Sequence, residues 1–172
     1  SPPDVYAVIN TNDSGPGSLR LALLTANSNA GPSSIIFNIS GAGPYTIMPV
    51  TNLPAIVNPV VIDGTTQPGF ASIPVIELNG RNVALEGLRL SGGASTVRGL
   101  AINRFLSAGI VINSPSNIIE CNFIGTDRTG TIALGNGTGI SLGGGADYTR
   151  IGGIDSVALA LAKNPFMIIV PC

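Results

Sequence analysis

The stretch "GLRLSGGASTVRGLAI" at 87–102 returns at 109–124 as "GIVINSPSNIIECNFI", without a gap and with its apolar residues in the same places. Leu88, Leu90, Val97 and Ile102 fall on Ile110, Ile112, Ile119 and Ile124, and Gly87 falls on Gly109. A unit this short cannot bury its own apolar face, so it must stack on its neighbours. A third copy, "GISLGGGADYTRIGGI", begins at Gly139. Its first strand fits at once, and its second fits with a loop two residues longer, which sets Ile151 level with Val97 and Gly153 with Gly99. The intervening "GTDRTGTIALGNGT" reads as an insertion.

Upstream of the repeat, "VYAVIN", "SIIFNIS", "YTIMPV", "PVVIDG" and "PVIELNG" read as short strands from their β-branched and aromatic content. Short strands that recur every 20 to 30 residues in the same chain direction predict an all-β fold, a parallel β-helix (solenoid), its repeats spaced by about 4.8 Å. A β-sandwich fits less well, because it needs antiparallel hairpins with tight turns at even spacing. One helix is predicted over about 18–29, in "GSLRLALLTANSN", with Ser18 as N-cap and Leu19, Ala22, Leu23 and Ala26 on one face. The expected organisation is a single domain over 1–172. Residues 1–40 form an N-terminal cap, 41–155 the stacked repeats and 156–172 an apolar C-terminal tail.

Composition supports the same reading. Glycine at 23 and proline at 13 of 172 residues exclude a helical bundle and demand frequent turns. Charged residues make up 10% and the net charge is −1, so there is no basic footprint for nucleic acid and none for a membrane surface. The mean hydropathy of +0.44 is high for a soluble domain and calls for apolar surface to be covered somewhere. The longest apolar stretch, "SVALALAKNPFMIIVPC", is broken by Lys163, Asn164 and Pro165 and is short for a membrane span. The opening "SPPDVY" lacks a Met and fits a processed end.

The chain resembles secreted and cell-surface right-handed parallel β-helix repeat proteins that carry an N-terminal SLRxAxxxAN-type cap. The residues that carry the resemblance are "NTNDSGPGSLRLALLTAN" (10–27), "VVIDGTTQPG" (60–69), "STVRGLAINRF" (95–105) and "NFIGTDRTGT" (122–131), within a span of roughly 5–155. Leu21 stands where relatives often have a polar residue, and the familiar repeats stop after "TRIGG". The resemblance implies the fold and an extracytoplasmic location, not an activity.

Catalytic chemistry is not legible. Hydrolysis of a glycosidic bond wants two carboxylates flanking it, and none of the nine acidic residues (Asp4, Asp13, Asp63, Glu77, Glu86, Glu120, Asp127, Asp147, Asp155) sits in a doublet. A lyase would need calcium ligands and a base; Arg98 and Glu120 are the pair that the repeat itself brings together, and they read as a structural surface ion pair. Asp63 and Asp127 lie beside Gly and Thr, where Asp usually caps a turn rather than binding calcium. With no His there is no Ser-His or Cys-His pairing, and no catalytic, cofactor or metal residue is predicted.

The remaining features point outward. Asn12, Asn38 and Asn136 stand in sequons, and Asn136, inside the insertion, is the favoured glycosylation candidate on a surface loop. Cys121 and Cys172 are disulfide candidates in an oxidising location, within one chain or between two. Phe166, Met167, Ile168, Ile169 and Val170 form an uncharged strand-prone tail, which either folds back as a private cap or adds to a neighbouring subunit. The function expected is that of a non-enzymatic extracellular structural protein, its partner another copy of itself, self-assembling through this tail into a filament, tube or surface array. The alternative is an adhesive or carbohydrate-binding module recognising surface glycans, and a polysaccharide lyase or hydrolase comes third.

Overall fold

A computed structural model describes residues 2–81, 84–153, 168–170 and 172. Its strands are β1 (Asp4–Val8), β2 (Ser33–Phe37), β3 (Tyr45–Ile47), β4 (Val60–Asp63), β5 (Ile76–Asn79), β6 (Glu86–Leu90) and β7 (Thr96–Arg98). They continue with β8 (Leu100–Asn103), β9 (Ala108–Ile112), β10 (Ile118–Glu120), β11 (Asn122–Ile124), β12 (Thr138–Leu142), β13 (Arg150–Ile151) and β14 (Ile168–Val170). A single helix, α1 (Leu19–Asn27), lies between β1 and β2, and a 3₁₀ turn spans Gly64–Thr66.

The strands form three sheets, ordered β1-β2-β4-β7-β10-β13, β14-β11-β8-β5-β3 and β12-β9-β6. Every ladder is parallel except that of β14 with β11, which is antiparallel. From β6 onward the chain visits the three sheets in turn, and the sequence offset of 22 is their pairing register. Leu88 faces Ile110, Val97 faces Ile119 and Ile102 faces Ile124.

Register aligns the inward residues into apolar columns. In the first sheet Tyr6, Ile35, Ile62, Val97, Ile119 and Ile151 are level with one another. The four central members are wholly buried, whereas Ile151 at the end is 39% exposed. In the second sheet Ile47, Leu78, Ile102 and Ile124 form the matching column, and in the third Leu90 sits on Ile112. Each such side chain, removed from water, contributes about 1.5–3 kcal/mol as an upper estimate. The alternation of in and out along strands of two to five residues is what permits it.

The helix is held at both ends. The Ser18 hydroxyl accepts a hydrogen bond from the Leu21 N–H at 3.2 Å, and Leu19, Ala22, Leu23 and Ala26 turn inward against β1 and β2. Arg20 ties its outer side down, donating to Asp13 Oδ1 at 2.7 Å and to the carbonyls of Thr51 and Asn52. No helix among the described residues is long and apolar enough to cross a membrane.

The expected all-β right-handed β-helix is corrected by this arrangement. Among the described residues the ladders stay within three separate sheets, parallel but for β14, no closed solenoid is found, and a helix packs on the first sheet. Parallel sheets with a helix point to an α/β fold. The sequence misleads here for a physical reason: a repeat offset specifies which strands pair and in what direction, not how sheets close upon one another.

Candidate functional site

The outward face of the first sheet carries a row of alternating charges. Asp63, Arg98 and Glu120 are in register on β4, β7 and β10, and Arg150 on β13 reaches back to the same row. Arg98 Nη2 lies 2.6 Å from Asp63 Oδ2, Arg98 Nη1 lies 3.9 Å from Glu120, and Arg150 Nη2 lies 2.9 Å from Glu120. The sequence reading brought Arg98 and Glu120 together but missed Asp63, the tighter partner. A signal was present: Asp63 and Arg98 each precede a glycine, in "VVIDG" and "STVRG".

Asp63 is held from two sides. Besides Arg98 it accepts the Thr65 N–H at 3.0 Å and the Thr65 hydroxyl, and so caps the 3₁₀ turn. Burial pushes its carboxyl pKa up most strongly, yet the hydrogen bonds from Arg98 and Thr65 together outweigh it and hold the group below the usual carboxylate range. The bond to Asp63 in turn raises the Arg98 guanidinium. Asp127 behaves alike: burial pushes its carboxyl up, and the Thr129 hydroxyl at 2.6 Å with the Ile132 and Thr131 N–H groups brings it down. Both carboxylates stay ionised and occupied by local donors. No group of three or more His, Cys, Asp or Glu side chains that could hold a metal ion occurs among the described residues.

Buried amides, which the sequence reading did not single out for this role, join one repeat to the next. Asn122 Oδ1 accepts the Leu100 N–H at 3.0 Å while its Nδ2 donates to the Val97 carbonyl at 2.8 Å. Asn117 Oδ1 accepts the Ser95 N–H, and Gln67 both accepts from and donates to the Ile39 backbone. Each satisfies buried backbone groups of a neighbouring segment, at or beside the ends of its strands.

Asn136 belongs to this set, which corrects its assignment as a glycosylation candidate on a surface loop. It is 3% exposed; its Oδ1 accepts the Phe105 N–H at 3.0 Å and its Nδ2 donates to the Ile102 carbonyl at 3.0 Å. The nitrogen that would carry a sugar is consumed inside. Asn12 and Asn38 are exposed.

Cys121 and Cys172 are joined within one chain. Cys121 has φ +57 at the place held by Gly99, φ +75, one repeat earlier. Gly99 is required there, since a Cβ would stand 2.5 Å from the Thr65 amide nitrogen. Of the assembly-contact candidates, Phe166 and Met167 lie outside the described residues. Ile168, Ile169 and Val170 pair as β14 with Ile124, Phe123 and Asn122 of β11. They thus extend the second sheet of their own chain instead of leaving it as a free strand. No protein-family model matches the chain, and no curated protein matches its sequence.

Proposed function

We propose that the chain is a non-enzymatic extracellular structural protein that packs against copies of itself into a filament, tube or surface array. One observation carries the reading. The three sheets end together in β13, β14 and β12, and at that end Leu142 is 57%, Tyr148 91% and Ile151 39% exposed. Among the described residues these three strands have no further ladder partner, and open edges beside exposed apolar side chains favour pairing with another chain. The tail, already bound to β11, presents one of these edges and so takes part in the contact as a fixed strand.

The charge row supports a structural rather than a hydrolytic role. Glycosidic hydrolysis needs one carboxylic acid protonated near neutral pH, whereas Asp63 is pulled in the opposite direction by Arg98 and Thr65. An oxidising, extracytoplasmic location accords with the Cys121–Cys172 disulfide, and with the resemblance to secreted and cell-surface repeat proteins carried by "SLRLALLTAN" and "VVIDGTTQPG".

Sedimentation velocity of the full chain over a range of concentrations tests the proposal. Association that rises with concentration and weakens in Leu142→Lys, where a charge is set on the edge strand, is the expected result. A chain that stays monomeric at the highest concentrations overturns it.

A further inference from the structure

Seven of the eight cationic residues are arginines, and the eighth, Lys163, lies outside the described residues. Arg20, Arg89, Arg98 and Arg150 are in ion pairs. Among the described residues the side chains of Arg81, Arg104 and Arg128 have neither an ion pair nor a hydrogen bond. Two of these three, Arg81 and Arg104, line the same open cleft of about 660 Å³, walled by Leu106, Gly135 and Gly137.

The distribution is unusual for a chain with so few charges. Among the described residues no carboxylate lines the cleft. Glu77 is occupied by Thr46 and Asn103, Glu86 by Arg89, and Asp127 by its own loop. Two guanidinium groups without an ion-pair partner among the described residues therefore line one open cleft, and each offers a planar fork of donors suited to a carboxylate or sulfate. Arg104 is also set at φ +59, a region disfavoured for a residue with a Cβ.

The walls narrow the ligand class. Among the described residues the one aromatic lining the cleft, Phe105, is 1% exposed, and so offers no face on which a neutral sugar could stack. Affinity must come from charge. We propose that the Arg81–Arg104 cleft binds an acidic oligosaccharide, through its uronate carboxylates or sulfate esters. The choice of a saccharide rests on the extracellular reading; the anion requirement rests on the two arginines alone.

Isothermal titration calorimetry with the full chain tests this, using tri-galacturonate, a sulfated heparin-derived disaccharide and neutral maltotriose as probes. Saturable binding of one or both acidic probes and none of maltotriose is expected, and which acidic probe binds identifies the anion as carboxylate or sulfate. Arg81→Gln and Arg104→Gln should each weaken that binding about ten-fold or more. Arg128→Gln, which removes the same charge outside the cleft, should leave it unchanged. Arg81 is exposed at a bend, so its variant keeps the test valid even if Arg104→Gln fails to fold. Failure of both acidic probes, equal binding of maltotriose, or an equal loss in Arg128→Gln overturns the proposal. A monomeric chain that still binds the acidic probe overturns self-assembly and leaves the cleft standing.

Discussion

Arg98 and Asp63 meet at 2.6 Å across a sequence separation of 35, on the adjacent parallel strands β7 and β4, with Glu120 of β10 next in the same register. The side chain of Asp63 is 9% exposed and that of Arg98 39%, so the pair is shielded on one side and wet on the other. Glu120, farther from Arg98 at 3.9 Å, is shared with Arg150.

Asp63→Asn should lower stability by about 1–3 kcal/mol at neutral pH, because Arg98 loses its tight partner and the Thr65 hydroxyl its charged acceptor. The folded carboxyl titrates below the unfolded one. Its contribution is therefore whole above the unfolded value of about 3.9 and is lost as pH falls through the folded value. Urea midpoints of the two proteins should converge in acid; a gap that persists unchanged to pH 2 would count against the pairing.

Charge reversal divides the row. Glu120→Arg should cost the lesser amount, about 1 kcal/mol, since its partners Arg98 and Arg150 are 39% and 35% exposed and water screens the repulsion from their side. Arg98→Glu should cost more, since it sets a carboxylate against Asp63 in a partly buried site. Equal midpoints for the two variants in denaturant titration would contradict this order.

Gly99→Ala places a Cβ 2.5 Å from the Thr65 nitrogen at φ +75. The left-handed backbone alone costs about 1–2 kcal/mol, and the clash adds to it. A thermal midpoint within error of the parent would show that the two bends are looser than the distance implies.

Asn136→Ala leaves the Phe105 N–H and the Ile102 carbonyl without their partners and should cost about 2–4 kcal/mol. On expression in a glycosylating host, peptide mapping should find Asn136 bare, with any sugar confined to the exposed Asn12 and Asn38. A glycan on Asn136 in folded protein would refute its buried position.

Cys172→Ser opens a loop of 51 residues, worth about 4 kcal/mol by the chain-entropy relation. The same variant should raise hydrogen exchange at β11, where β14 would detach. Unchanged exchange would mean that β14 holds its place without the covalent tie.

What the sequence determined by itself is local and periodic. The offset of 22 set Val97 on Ile119 and Arg98 beside Glu120, because in-and-out alternation along a strand and the apolar match between repeats are readable residue by residue. The helix face led by Leu19 and Leu23 was legible for the same reason, as was its Ser18 cap. The tertiary structure alone decided what lies between irregular spacings. Asp63 reaches Arg98 across loops of unequal length, which no gapless alignment can bridge. Asn136 stands in a sequon that promises a surface, and is buried because the backbone of Ile102 and Phe105, more than 30 residues away, needs a donor and an acceptor at that point. Whether Cys172 closed on its own chain depended on where β14 settled. The relation of the three sheets depended on packing that a repeat does not encode: hydrogen-bond register is written in short-range pattern, while the satisfaction of buried polar groups and the docking of sheets are properties of the whole folded chain.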